Sequence, residues 1–365
     1  MLHAVIMAGG AGTRFWPESR AQRPKQLLEM IGGRTMIQST VDRLHGLVPR
    51  QRMMIATTAA LAPAIGEQLP DFPSQAILAE PCKRDTAPCI GLAATCLVRE
   101  DPEAIMAVMP ADHVIAPDES FCDAIRFAAA LIEERPGRIV TFGIRPTYPA
   151  ESFGYIERGA AINTSAAQAV PYAPAAYQVR QFREKPSTAK AQEYLAQGSF
   201  YWNAGIFLWR AQTVLDALAR YQPDLHARLQ KIAATVGTPA YEQVLADEFA
   251  AMHPISIDYA VMEHAEDVVV VEAPFDWDDV GSWQAVARLC GTDADGNTIS
   301  AKHLGIKTTG AIVRGDQEHL IVTVGMSDCI IVHTPDATLV ANRRDEESIR
   351  HVVKLLEQQG WREYL

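Results

Sequence analysis

The residues best suited to chemistry stand near the N-terminus. An apolar run over residues 3–8 passes directly into Gly9, Gly10, Ala11, Gly12, Thr13 and Arg14. Three glycines in so short a turn let backbone amides approach a chain of phosphates closely, because no Cβ stands in the way. Four basic residues, Arg14, Arg20, Arg23 and Lys25, fall within twelve positions and are opposed only by Glu18. Amides followed by cations suit a polyanion. The dinucleotide fingerprint would need a glycine where Phe15 stands, and the Gly-Lys-Ser/Thr ending of the P-loop is missing. Taken alone, the same glycines fit a plain strand-to-helix turn equally well, and four basic residues fit a solvated face.

No Ser/His/Asp or Cys/His arrangement for nucleophilic catalysis stands out. The six cysteines include no Cys-x-x-Cys pair. Cys89 and Cys96 are seven apart on an expected helix, which puts both on one apolar face as buried thiols rather than zinc ligands or disulfides.

Such residues need a scaffold, and the hydrophobic pattern supplies one. Residues 3–8, 53–57, 104–109 and 138–143 read as strands, alternating with helical patterns over 35–47, 86–99 and 120–134. That alternation implies βαβ units and an α/β fold, a Rossmann-like mixed but mostly parallel sheet with helices on both faces. Thr86 suits a helix cap and Pro88 the first turn that follows. The sheet continues through 177–182, 205–209 and 268–272, so residues 1–285 form one catalytic-sized unit. Turn formers crowd residues 291–297 and mark a boundary. Residues 286–365 then make a small β domain with short runs at 311–314, 320–324, 329–333 and 338–341, spaced like solenoid coils or sandwich strands. A terminal helix follows, capped by Asp345, carrying Ile349, Val352, Val353 and Leu356 on one face and stopped by Gly360.

At 365 residues the chain exceeds the usual single domain, and 48% hydrophobic residues supply ample core. A net charge of −11 argues against nucleic acid as a partner, so an anionic ligand must meet a local basic patch. The N-terminus lacks the basic start of a signal peptide, and no apolar stretch reaches the ~18 residues of a membrane span. A cytoplasmic protein with no membrane partner is the expectation.

The glycine turn extends through Phe15, Trp16, Pro17, Glu18, Ser19 and Arg20 to Pro24, Lys25 and Gln26. Further on stand Glu80, Pro81, Arg84, Asp85, Thr86, then Met109, Pro110, Ala111, Asp112, His113, then Glu184, Lys185, Pro186 and Trp202, Asn203, Ala204, Gly205. Ser256, Ile257, Asp258, Tyr259 and Asp276, Trp277, Asp278, Asp279, Val280, Gly281 complete the series. These seven blocks, in order, closely resemble the signatures of the mannose-1-phosphate guanylyltransferases, which are nucleotide-sugar pyrophosphorylases. Leu27 and Phe15 depart from the residues usual in that family, but neither change alters a charge.

The resemblance implies substrates, a metal and roles. GTP and mannose 1-phosphate would be the partners and Mg²⁺ the cofactor, held by Asp112 and Asp279. Gly9, Gly10, Gly12 and Thr13 would cradle the nucleotide, Arg14 and Lys25 would hold the triphosphate, and Lys185 would grip the sugar phosphate. Gly154, Glu184 and Asn203 would select the sugar. Guanine presents two adjacent N–H donors that one carboxylate can accept, so Glu80 or Asp85 is a candidate base reader. Arg84 with Asp85 also fits a local ion pair, and His113 reads as structural. The C-terminal unit would be a short left-handed β-helix that helps form a homodimer. With the chain stopping at Leu365 there is no room for a metal-binding cupin, so a monofunctional enzyme is expected. Two other readings keep the fold: synthesis of GDP-glucose or another nucleotide sugar, and a non-catalytic regulatory subunit. The second would be expected to lose Arg14, Lys25, Asp112 or Asp279, and all four are present.

Overall fold

The computed structural model describes residues 1–10 and 12–365; Ala11, inside the glycine turn, lies outside the described residues. Up to residue 290 the strands are β1 (Leu2–Met7), β2 (Met53–Thr58), β3 (Ile77–Glu80), β4 (Ile105–Pro110), β5 (Val114–Ala116), β6 (Ile139–Ile144), β7 (Tyr155–Ala161), β8 (Ala176–Arg183), β9 (Phe200–Arg210), β10 (Val268–Glu272) and β11 (Asp276–Asp278). The helices are α1 (Met36–Arg43), α2 (Ala62–Gln68), α3 (Thr86–Glu100), α4 (Asp118–Glu134), α5 (Thr188–Gln197), α6 (Ala211–Tyr221), α7 (Pro223–Thr235), α8 (Tyr241–Ala250) and α9 (Trp283–Cys290).

One 9-stranded sheet runs in the order β3-β2-β1-β4-β9-β6-β10-β8-β7. β1 is parallel to β2 and β4, β2 to β3, and β6 to β10, while β9 enters antiparallel between β4 and β6. Ala4, Val5 and Ile6 of β1 and all four valines of β10 are buried. Burial on both faces is why these strands read as unbroken apolar runs rather than alternating ones. On one face Ile37 of α1, Ile65 of α2 and Phe121 of α4 pack with Ile6 and Ile55. On the other, Ile90 of α3, Leu218 of α6, Leu229 of α7 and Phe249 of α8 pack with Val5, Met106 and Val108. The expected mixed α/β sheet, covered on both sides, is what forms.

The cap of α3 is Asp85 rather than Thr86. Asp85 accepts from the Thr86 amide at 2.7 Å, and the Thr86 hydroxyl instead accepts from the Ile257 amide at 2.8 Å, tying the helix start to a distant loop.

Beyond residue 297 come β12 (Thr298–Ser300), β13 (Lys302–Ile306), β14 (Ile312–Arg314), β15 (Leu320–Val324), β16 (Cys329–His333), β17 (Thr338–Asn342) and α10 (Ile349–Gln359). β12, β14 and β16 stack in parallel, β13 stacks in parallel on β15, and Thr309 bridges Ser327, 18 residues on, in the same sense. Three parallel stacks met in turn along the chain make a short β-helix, which decides between solenoid and sandwich. Asp345 does not cap the terminal helix. It lies in a 3₁₀ turn before it and accepts from the Ser348 hydroxyl at 2.6 Å. Gly360, with φ 75°, ends α10 as expected.

The β-helix and α10 are fused to the sheet region by a common core. Phe15, Trp16, Val280 and Trp283 pack with Ile312, Ile330, Ile349 and Leu356. Among the described residues no helix is long and apolar enough to cross a membrane.

Candidate active site

Gly12 sits at φ 60°, and a Cβ there would stand 2.5 Å from the Cβ of Lys25 and 2.8 Å from its amide nitrogen. Only glycine lets the turn after β1 fold so tightly onto Lys25. The Lys25 side chain is 7% exposed, and its ammonium donates to the Asp112 carboxylate at 2.8 Å and to the Asp279 carbonyl at 2.5 Å. Two short strands explain how Asp112 and Asp279 meet. β5, just after Asp112, pairs antiparallel with β11, just before Asp279, with Asp278 opposite Val114. That register brings two distant acids to one end of the sheet, at the carboxyl ends of parallel strands where open α/β sheets bind ligands.

Arg14 completes the group, donating from Nη1 to the Gly281 carbonyl at 2.8 Å. Arg14, Lys25, Asp112, His113 and Asp279 share a cleft of about 330 Å³. Burial is the largest influence on Asp112 and would raise it, but the charge and hydrogen bond of Lys25, with His113 and a backbone amide, together hold that carboxyl below its ordinary value. For Asp279 burial prevails: Lys25 pulls the carboxyl down, Asp278 and Asp112 push it up, and it ends raised. Burial drives His113 down to about 4, so the ring is neutral near pH 7 and its Nδ1 accepts from Trp277 Nε1 at 3.1 Å. A buffering or ligating histidine is not what this geometry makes.

The basic run splits. Arg20 pairs with Asp336 at 2.8 Å, and Arg20 and Arg23 line a separate, larger cleft of about 900 Å³ beside the β-helix. Only Arg14 and Lys25 of the four reach the smaller cleft that gathers the acids.

A second cluster lies at β9. The Asn203 amide donates to the Gly154 carbonyl at 2.8 Å, and Asn203 Nδ2 donates to Asp258 at 2.8 Å. A Cβ on Gly154 would stand 2.6 Å from Glu184 Oε2, so the bare glycine lets that carboxylate in. Glu184 is raised by burial, an effect that Lys185 opposes. Lys185, at φ 42°, keeps its ammonium 3.6 Å from Glu184 and is 65% exposed. Asp258 was not singled out by the sequence reading, although it stands inside one of the resembling blocks. Burial and the nearby Glu184 carry it up to about 6, and it opens a π-helical turn, Asp258–Met262, of the kind often found at functional sites.

Glu80 ends β3 with 5% exposure, and its Oε1 has no hydrogen-bond partner among the described residues. Burial raises it to about 7, against the opposing pull of a Cys89 hydrogen bond and Lys83. Asp85 is exposed and already spent on capping α3. Arg84 does not pair with Asp85; its guanidinium donates to the carbonyls of Ala250 and Lys83. Gly9 and Gly10 leave open space where a Cβ would stand. Sequence reasoning also missed Arg350, which lines the Lys25 cleft from α10, and Glu347, which lies 3.3 Å from Arg14. Arg350 hides among the polar residues of an ordinary-looking surface helix, and Glu347 in the 3₁₀ turn before it.

A covered α/β sheet ends in a cleft that gathers Arg14, Lys25 and two acids, beside a separate amide-and-carboxylate cluster, the layout of an enzyme with two adjoining polar sites. The family model described as Nucleotidyl transferase matches residues 3–295, and the chain belongs to that family. A second, described as MannoseP isomerase/GMP-like beta-helix domain, matches residues 301–356. Mannose-1-phosphate guanylyltransferase of Klebsiella pneumoniae is 39% identical over 367 residues, which cover 100% of this chain and 76% of that protein. Xanthan biosynthesis protein XanB of Xanthomonas campestris pv. campestris (strain B100) is 36% identical over 98% of this chain and 73% of its own length. A crystal structure from Thermus thermophilus, described as a mannose-1-phosphate geranyltransferase, matches with 34% identity and a TM-score of 0.84 over 98% of this chain and 99% of that one.

Proposed function

We propose that this chain joins mannose 1-phosphate to GTP, releasing pyrophosphate and forming GDP-mannose. The observation that carries the reading is the buried Lys25 ammonium beside the glycine turn, between Asp112 and Asp279, with the Asn203–Glu184–Asp258 cluster as a second site. The likeness to the Klebsiella pneumoniae guanylyltransferase over the whole chain supports the choice of substrates.

Arg14 and Lys25 hold the triphosphate, arginine as a bidentate fork and lysine as a compact charge. Gly9, Gly10, Gly12 and Thr13 form the cradle around it. Lys185 takes the phosphate of the sugar, and its exposure leaves the ammonium free to swing from Glu184. Glu184, Asn203 and the backbone at Gly154 accept and donate to sugar hydroxyls, with Asp258 fixing the Asn203 amide. The unpartnered Glu80 oxygen accepts from guanine, a role for which Asp85 is less available. The sugar phosphate is already an anion, so no protein nucleophile is needed. Alignment for in-line attack on the α-phosphorus, with cations over the developing charge, supplies the rate.

Two carboxylates in one cleft suit a hard divalent cation. Asp279 in particular is a buried acid whose carboxyl stays raised by burial despite Lys25 and Arg14, so a further cation beside it would be favoured. Among the described residues no group of three or more acids, histidines or cysteines is placed to hold a metal, so phosphate and water oxygens would complete the shell, as Mg²⁺ prefers. Bound there, Mg²⁺ would neutralise phosphate charge.

The chain is read as two units, residues 1–285 and 286–365, working as a homodimer. The dimer reading draws support from an inverted pattern on the β-helix. Leu304, Ile306, Leu320, Val322 and Val324 face outward and exposed, while His303 and Thr323 hydrogen-bond inside.

The test is a panel of GTP and UTP against mannose 1-phosphate and glucose 1-phosphate, with pyrophosphate release as readout. GTP with mannose 1-phosphate should be the fastest pair. A faster reaction with UTP or glucose 1-phosphate would replace the substrate assignment.

A further inference from the structure

The start of α10 places charged residues where the proposed triphosphate site ends. α10 packs against the turn Thr13–Phe15, and the chain end beyond it is held by the Trp16 indole, which donates to the Tyr364 carbonyl at 2.8 Å. Ile349 and Leu356 lie in the core shared with Phe15 and Trp16. The helix is therefore fixed against the glycine turn and cannot be a loose tail.

Within that fixed helix, Arg350 lines the cleft that holds Arg14, Lys25 and Asp279. The Glu347 carboxylate stands between two guanidiniums, with Oε1 3.3 Å from Arg14 Nε and Oε2 3.5 Å from Arg350 Nη1. The contact to Arg14 is an ion pair at poor angle: Arg14 Nε is buried and has no hydrogen-bond partner among the described residues. Two guanidiniums facing one carboxylate offer what a phosphate group takes, parallel N–H donors to paired anionic oxygens, and a phosphate carries more charge than the carboxylate.

We infer that α10 completes the polyphosphate site: Arg350 binds the terminal phosphates of the nucleoside triphosphate and the departing pyrophosphate, and those phosphates displace Glu347 from Arg14 and Arg350. The inference rests on the nucleotidyl-transfer reading of the same cleft. It adds that a residue from the C-terminal unit touches substrate, so the β-helix region bears on catalysis as well as on assembly. Arg350 is half exposed and lines the cleft beside Arg14, and the inference gives it the leaving end of the triphosphate rather than the α-phosphate.

The experiment uses the full chain and the variants Arg350→Ala, Arg350→Lys and Glu347→Gln, each checked for unchanged thermal unfolding. Equilibrium binding of GTP, GMP and inorganic pyrophosphate is measured alongside forward and reverse rates. Arg350→Ala should weaken GTP and pyrophosphate about tenfold, the scale of one charge-assisted contact, and leave GMP and mannose 1-phosphate unchanged. Arg350→Lys should recover part of the loss. Glu347→Gln should tighten GTP and pyrophosphate several-fold by removing the competing carboxylate. Arg350→Ala with wild-type GTP and pyrophosphate constants, or with equal losses for GTP and GMP, overturns the inference while the proposed reaction stands. A wild-type chain that binds pyrophosphate through Arg350 but makes no GDP-mannose overturns the reaction and leaves the inference in place. A chain that binds neither GTP nor pyrophosphate overturns both.

Discussion

Burying a lysine until 7% of its side chain is exposed strips most of its hydration, and here the Asp112 carboxylate and the Asp279 carbonyl offset that cost. Lys25→Met leaves Asp112 in the cleft without its counter-ion, the situation in which breaking a buried pair costs about 3 kcal/mol. Urea titration of the variant should show that loss together with a fall in turnover on the order of 10²-fold; unchanged stability would mean that water already screens the pair. Glu80 carries a different signature. Its carboxyl is raised from 4.5 to about 7 by burial, so the folded state holds its proton where the unfolded chain has released it. The neutral form is the one the fold tolerates, and stability from this group is lost as pH rises from about 4.5 to about 7, by on the order of 3 kcal/mol. Glu80→Gln should therefore lose less stability than the parent across that window. Reading guanine needs the ionised form, so the KM for GTP should fall as pH rises through about 7 in the parent and stay flat in Glu80→Gln. Parallel profiles for the two proteins would remove Glu80 from the base site. Arg14, Lys25, Asp112 and Asp279 were legible as residue types and spacing within resembling blocks. Asp258 was not, because its importance is a contact with Asn203 across the fold, and Arg350 was not, because an arginine on a helix surface looks the same whichever way the helix is docked.

The small ribbon of β5 and β11 does more for the site than its size suggests, since its register brings Asp112 and Asp279 to one end of the sheet, where Lys25 bonds to both. If both hold one cation, Asp112→Asn and Asp279→Asn each weaken the same ion. The double variant should then be little slower than the worse single one, as expected of residues that act as a unit. Rate losses that multiply in the double variant would separate the two acids. Strands buried on both faces, such as β1 and β10, could be read directly from their apolar runs. β7 could not, because it carries Glu157, Arg158 and Gly159 in a register interrupted by bulges, and pairing with β8 and β9 rather than its own pattern makes it a strand. The cap of α3 was misplaced by one residue for a similar reason. Thr86 and Asp85 are both good caps, and the bond from the Ile257 amide that occupies Thr86 is made 171 residues away.

At the scale of the molecule, one apolar core joins Phe15 and Trp16 beside the glycine turn to the β-helix and α10. The change in sequence character after residue 290 showed where a second unit begins but not how it docks, because the docking residues are spread over both ends of the chain. The outward apolar face of β13 and β15 should be covered by the same face of a second copy, the self-matching contact of a two-fold dimer. Val322→Lys, at a residue 51% exposed and paired with Leu304, should shift light scattering from dimer to monomer without unfolding the chain. A dimer that persists would place the interface elsewhere.

The central claim is that the oxygen of a sugar phosphate attacks the α-phosphorus of GTP directly. A single turnover with GTP labelled at the α-phosphorus, Mg²⁺ and mannose 1-phosphate tests it. The account predicts that the label passes into GDP-mannose, that the released pyrophosphate is unlabelled, and that protein denatured at any time point carries none. Label retained on the protein, or GTP consumed with no labelled GDP-mannose, would contradict it.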